Sequence, residues 1–199
     1  MACNERKKVR EYHDNGEIFK SYYLENGEIS GKYSEYYENG DLKISGFYKD
    51  NKANGVFKEY SKDGQLIEIG QYIDDTAIGW FEFYDHGKKK KKKQYITFNG
   101  SSYINQFKLF NKNGDVIKDS SNFITVDQIN ANQYLVKLEA PMFSDNYMEI
   151  LLGHFNDGLN TSNESKVDTI RVMGKLEKII SLGNKQKAII CDLEQNKTK

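Results

Sequence analysis

The chain repeats itself every 24 residues, and that period constrains its fold more than any other feature. Tyr12, Tyr36, Tyr60 and Tyr84 are evenly spaced, as are Gly31, Gly55 and Gly79, and Gly16, Gly40 and Gly64. Two of the copies add Gly46 with Tyr48 and Gly70 with Tyr72. Each copy has the grammar of a β-hairpin. Polar and aromatic residues alternate before the turn, as in Phe57-Lys58-Glu59-Tyr60, and an apolar residue follows it at Ile18, Leu42 or Leu66. Asn15-Gly16, Asn39-Gly40 and Asp63-Gly64 predict type I′ turns, whose two positive-φ positions suit the twist of the flanking strands. A second set of turn signals falls midway, at Glu25-Asn26-Gly27, Asp50-Asn51-Lys52 and Asp74-Asp75-Thr76. Turns at about every 12 residues predict a continuous antiparallel meander.

Composition supports an all-β chain. The 14 Tyr and 11 Phe suit a pleated, half-buried surface, and 16 Gly against one Pro supply turns without breaking strands. Twenty-nine basic and 29 acidic residues cancel, so global charge gives no reason to expect nucleic acid or an acidic partner.

The first and last copies depart from the pattern. The first has Lys7 in place of the leading glycine and Tyr22 in place of the second. The fourth, Gly79-Trp80-Phe81-Glu82-Phe83-Tyr84-Asp85-His86-Gly87, is one residue short before its turn, and lysines replace its second strand. Altered terminal copies fit the ends of an array.

The pattern Gly-x-[Phe/Tyr]-x-Glu-Tyr-x-x-[Asn/Asp]-Gly-x-[Leu/Ile], written in Gly31 to Leu42 and Gly55 to Leu66, resembles the MORN repeat. It is most similar to the MORN-2 variant of the bacterial YwqK-type, antitoxin-like family. The resemblance covers about residues 8 to 100, with a degenerate hairpin from Phe107 to Val116. It implies scaffolding and binding roles rather than one activity. The antitoxin label it carries implies a cytoplasmic chain with a toxin partner.

Beyond the repeats, candidate strands run from Phe123 to Val126, Tyr134 to Glu139, Tyr147 to Phe155, Val167 to Met173, Leu176 to Leu182 and Ala188 to Leu193. A polar loop from Asn156 to Lys166 separates the third from the fourth. Short strands at this spacing predict a small β-sandwich. The segment from Asp127 to Leu138 resembles the early strands of immunoglobulin-like modules. By period alone, Leu176-Glu177-Lys178-Ile179-Ile180-Ser181-Leu182 reads equally as a helix. The expected organisation is a repeat meander over 8–118 and a sandwich over 119–195.

Three features bear on function. Lys88, Lys89, Lys90, Lys91, Lys92 and Lys93 form a basic run, read either as a contact for an anionic lipid surface or as a self-repelling strand edge that discourages pairing. Tyr12, Tyr36, Tyr60 and Tyr84 read as a structural ladder that, where uncovered, is the best surface for a protein partner. Ala2-Cys3 resembles the end of a bacterial lipoprotein box; with a signal peptide ahead of it, Cys3 would be the lipidated residue of an envelope protein. Cys191, in an apolar run, reads as a buried free thiol.

Catalytic signatures are sparse. His13 and His86 lie in predicted turns and His154 at a strand end, and no phosphate loop, dinucleotide fingerprint or zinc spacing is present. The expectation is a non-catalytic protein-interaction module with no metal or cofactor, reaching a membrane only through Cys3 or the lysine run.

Overall fold

The computed structural model describes residues 6–98, 101–121, 123–130, 133–139, 147–152, 168–173 and 175–181. The repeats fold as β1 (Lys7–Tyr12), β2 (Ile18–Glu25), β3 (Glu28–Ile29), β4 (Gly31–Tyr36), β5 (Leu42–Lys49), β6 (Lys52–Ala53), β7 (Gly55–Tyr60), β8 (Leu66–Ile73) and β9 (Thr76–Asp85). Strands β10 (Lys88–Phe98) and β11 (Ser101–Leu109) follow. All eleven join one antiparallel meander in the order β1-β2-β4-β5-β7-β8-β9-β10-β11, with β3 on β2 and β6 on β5. The expected all-β meander is therefore the observed fold. The chain divides into two compact units, Met1–Lys89 and Lys90–Lys199.

The type I′ turns expected at the Asn/Asp-Gly dipeptides are not found there. At Gly16, Gly40 and Gly64 only the glycine has positive φ, while Asn15, Asn39 and Asp63 do not. The bonds Gly16 N–H to the His13 carbonyl and His13 N–H to the Glu17 carbonyl, at 2.9 and 2.8 Å, define a three-residue loop. Tyr37 to Asp41 and Ser61 to Gln65 repeat the same pair of bonds. This is a type I turn closed by a glycine bulge, not type I′. Type I′ geometry lies in the midway set, where Asn26-Gly27, Asp50-Asn51 and Asp74-Asp75 have two successive positive φ values. Their flanks pair across two residues, Glu25 with Glu28, Lys49 with Lys52 and Ile73 with Thr76. The missing residue of the fourth copy then has a plain consequence. Its loop shrinks, and His86-Gly87, at φ 46° and 71°, becomes type I′ as well.

Successive copies are stitched by polar bonds at the same spacing. Asn51 accepts the Ile29 N–H on its side chain at 2.7 Å and donates its own N–H to the Ile29 carbonyl at 3.0 Å. Asp75 does the same with Ala53, at 2.7 and 3.0 Å. On the other row of turns, His13 Nε2 lies 3.0 Å from the Tyr36 carbonyl, and the Tyr37 hydroxyl donates to the Tyr60 carbonyl at 2.8 Å. The turns thus satisfy backbone groups of the neighbouring copy, as a one-layer sheet with little core requires.

In the second unit β10 pairs with β11, from Lys91 opposite Leu109 to Phe98 opposite Ser101. The degenerate hairpin is present: Asn111 to Asp115 repeats the glycine-bulge bonds, and Phe110 bridges Val116. Fully buried Ser121 closes this end, its hydroxyl accepting the Leu109 N–H at 2.9 Å and donating to the Ile117 carbonyl at 2.6 Å. Farther on, β12 (Phe123–Asn130), β13 (Gln133–Glu139) and β16 (Lys175–Ser181) form a three-stranded sheet, and β14 (Tyr147–Leu152) pairs with β15 (Asp168–Met173). The run from Leu176 is a strand, because it pairs with β13 from Lys175 opposite Glu139 to Ser181 opposite Gln133. The expected strand at 188–193 and the loop at 156–166 lie outside the described residues.

Candidate functional site

Side chains alternate between the two faces of a strand, so the cross-strand pairing sorts the repeats into surfaces. On one face, Tyr33 stands opposite Gly46 and Phe57 opposite Gly70, while Tyr48 stands opposite Gly31 and Tyr72 opposite Gly55. Rings and glycines therefore alternate across the sheet, and two of the rings, Phe57 and Phe81, fold over the gap a glycine leaves. A Cβ on Gly46 would overlap the Phe57 ring, and one on Gly70 the Phe81 ring.

The product is a continuous ladder. Ring centroids are 4.8 Å apart from Tyr33 to Tyr48, 5.6 Å to Phe57, 5.4 Å to Tyr72 and 5.3 Å to Phe81. The last three pairs meet edge to face, at 76–88°, the favoured geometry for such rings. Tyr22, where the first copy lacks the glycine, lies beside Tyr33 at 6.4 Å and only 27° instead. Tyr33 has no glycine gap at position 22 to fold over, as Phe57 has at Gly46 and Phe81 at Gly70.

Next to the ladder, one register row on the same face carries the charge. It runs Glu11, Lys20, Glu35, Ile44, Glu59, Glu68 and Phe83, each opposite the next. Rings and carboxylates together line a groove of about 310 Å³ with Tyr33, Tyr48, Phe57, Tyr72 and Phe81 along it. Glu35, Glu59, Glu68 and Asp75 supply four carboxylates to the lining against one lysine, Lys58. Lys20 Nζ approaches Glu35 at 3.6 Å, and the Tyr33 hydroxyl donates to Glu35.

The tyrosines register this environment. Burial, then its bond to Glu35, pushes Tyr33 far above the ordinary phenol range. Burial also raises Tyr48 and Tyr72, with added effect from the negative charge of Asp75 and Glu35 on the first and of Glu68 and Glu59 on the second. Tyr22 is raised chiefly through its hydrogen bond to Glu11. Such a face is apolar at its floor, negative at its rim, and holds its phenols neutral.

The tyrosines expected to form a ladder lie elsewhere. Tyr36 and Tyr60 point to the opposite face, lining a second depression with Lys32, Phe47 and Val56. Tyr12 is 59% exposed, and the Tyr84 hydroxyl donates to Glu82 at 2.5 Å. Successive members sit two strands apart. At about 9.5 Å of backbone spacing, that is too far for the rings to form a ladder. The ladder rings carried a sequence signal too, since Tyr33, Phe57 and Phe81, and Tyr48 and Tyr72, recur at 24 residues. What the period alone does not supply is which glycine each ring faces.

The lysine run is the first half of β10. Lys88 and Lys90 are exposed, and Lys89, Lys91, Lys92 and Lys93 are half-buried. Lys89 Nζ pairs with Glu82 at 2.8 Å. Lys91 stands opposite Leu109, Lys92 opposite Lys108 and Lys93 opposite Phe107. Successive lysines alternate between faces rather than forming one strip. The strand is also not an edge: β9 and β11 flank it, and long lysine stems can cover apolar surface while their amines reach water. Cys3 and Cys191 lie outside the described residues. Among the described residues, no group of three or more His, Cys, Asp or Glu could hold a metal ion.

No protein-family model matches the chain, and no curated protein matches it at a significant level. The fold defines its class by itself, as an antiparallel sheet of 24-residue hairpin copies with one aromatic and acidic face.

Proposed function

We propose that the chain is a non-catalytic protein-interaction module built from MORN-type repeats, with the ladder face as its working surface. The repeat pattern from Gly31 to Leu66 supports the family reading, and the two small C-terminal sheets support an appended sandwich over 119–195. The observation that carries the proposal is the groove over Tyr48, Phe57 and Tyr72. A one-layer sheet has two faces, and this one joins a half-buried aromatic floor to a charged rim, the composition of protein-binding surfaces.

Site-specific photo-cross-linking in the cells that make the chain tests it. A benzophenone side chain at Ile44, in the groove lining, should join the chain to a discrete partner. The same group at Val56, on the opposite face and 47% exposed, should not. Equal yields at both positions, or none at Ile44, would overturn the proposal.

A further inference from the structure

We propose that the ladder groove docks an extended, basic segment of a partner protein, its lysine or arginine side chains lying on the rings and paired with Glu35, Glu59 and Glu68. This inference rests on the interaction reading above and adds the charge and shape of what is bound. Its first support is the charge pattern. Glu59 and Glu68 stand directly opposite each other on β7 and β8, an arrangement of like charges that destabilises a sheet. The chain as a whole has zero net charge, while the groove lining carries four carboxylates against one lysine. Its second support is the floor. Aromatic faces attract cations, most strongly where carboxylates complete the cage. A nucleic acid or an anionic bilayer would meet repulsion here.

Spacing decides between a compact cation and a chain. Glu35 lies two strands from Glu59, and Glu59 one strand from Glu68. At about 4.8 Å per strand the row spans roughly 14 Å. Side chains i, i+2 and i+4 of an extended peptide share one side and span about 13.5 Å. The outer two of three alternate basic residues in a segment crossing the strands therefore match the two ends of the row, and the long stem of the middle one spans the remaining roughly 3 Å to Glu59. The neutral, upward-shifted phenols of Tyr48 and Tyr72 fit the same negative potential.

The test is a fluorescence-anisotropy titration of the full chain with a labelled (Lys-Thr)4 peptide, alongside spermine as competitor. The expected result is saturable binding that weakens with salt. Glu59→Gln combined with Glu68→Gln should weaken it about tenfold. Glu28→Gln combined with Glu38→Gln removes the same charge at the turns and should leave affinity within about twofold. Absence of saturable binding, equal weakening in both double variants, or competition by spermine at the peptide's own affinity would each overturn the proposal. So would sedimentation showing that a second copy of the chain occupies the face. If the peptide fails while cross-linking from Ile44 persists, the basic segment is wrong and the interaction surface stands; if both fail, both fall.

Discussion

Replacing Gly70 by alanine isolates the contact on which the ladder depends. Gly70 has no positive φ, so alanine is compatible with its backbone and at an open site would stabilise by about 0.4–1 kcal/mol through the unfolded chain. Here the added methyl overlaps the ring of Phe81, which is only 3% exposed and meets Tyr72 edge to face at 5.3 Å. The ring must lift. Losing half of a burial worth about 1.5–3 kcal/mol, and an aromatic pair worth about 0.5–1.5, outweighs the backbone gain. The net is a loss of about 1.5 kcal/mol, within the usual range for overpacking. For a unit of this size, that lowers the melting temperature by roughly 6–12 °C. Urea unfolding followed by circular dichroism measures it as a shift in midpoint at unchanged slope. Phe81→Leu should cost less in the Gly70→Ala background than in the wild type, because the ring already has nowhere to fold. A Gly70→Ala variant as stable as the wild type, or additive behaviour of the pair, would refute the idea that glycine makes room for the ring.

Three further outcomes follow from named bonds. Asp75→Ala removes the acceptor of the Ala53 N–H and places alanine at φ 66°, so it should cost about 1–3 kcal/mol in urea unfolding, while Asp75→Asn should recover most of the loss. Ser121→Ala leaves the Leu109 N–H without its 2.9 Å partner in a fully buried position, and should destabilise by about 1–3 kcal/mol, visible as faster amide exchange at Leu109. Tyr84 is pushed up to about 12, first by its hydrogen bond to Glu82, then by burial and the Glu82 charge. The folded chain holds that proton more tightly than the unfolded one, whose value is 10.0. The linked stability is therefore whole below pH 10 and drains away as pH rises through 12. Glu82→Gln should bring this titration down towards 10.0 in phenolate difference absorbance.

Much of the fold is legible in the repeat, since glycine, tyrosine and turn dipeptides at one spacing leave few alternatives to a meander. Turn type is where local reading fails. Asn-Gly suits both a type I′ turn and the end of a glycine-bulge loop. What separates them is how many residues lie between the paired flanks, His13 and Glu17 in one case and Glu25 and Glu28 in the other. That count depends on the register of both strands, which no dipeptide encodes. The run from Leu176 is similar: its local period suits a helix, and its partner β13 makes it a strand. The tyrosine stripe misled for a third reason. Residues 24 apart lie on alternate strands, so the ladder needs the intervening strand, where Tyr48 and Tyr72 sit. Glu35 and Glu59 recur at 24 residues in the repeat pattern, but only strand order sets Glu68 in line with them.

The most direct test of the ladder face as the working surface is carbon-13 NMR of tyrosine rings, with the (Lys-Thr)4 peptide added stepwise to the full chain. Tyr33, Tyr48 and Tyr72 line the groove and should shift together along one binding curve. Tyr12, Tyr36 and Tyr60 should stay in place. Movement of Tyr36 and Tyr60 with the groove rings unchanged would move the working surface to the other side of the sheet and contradict the account.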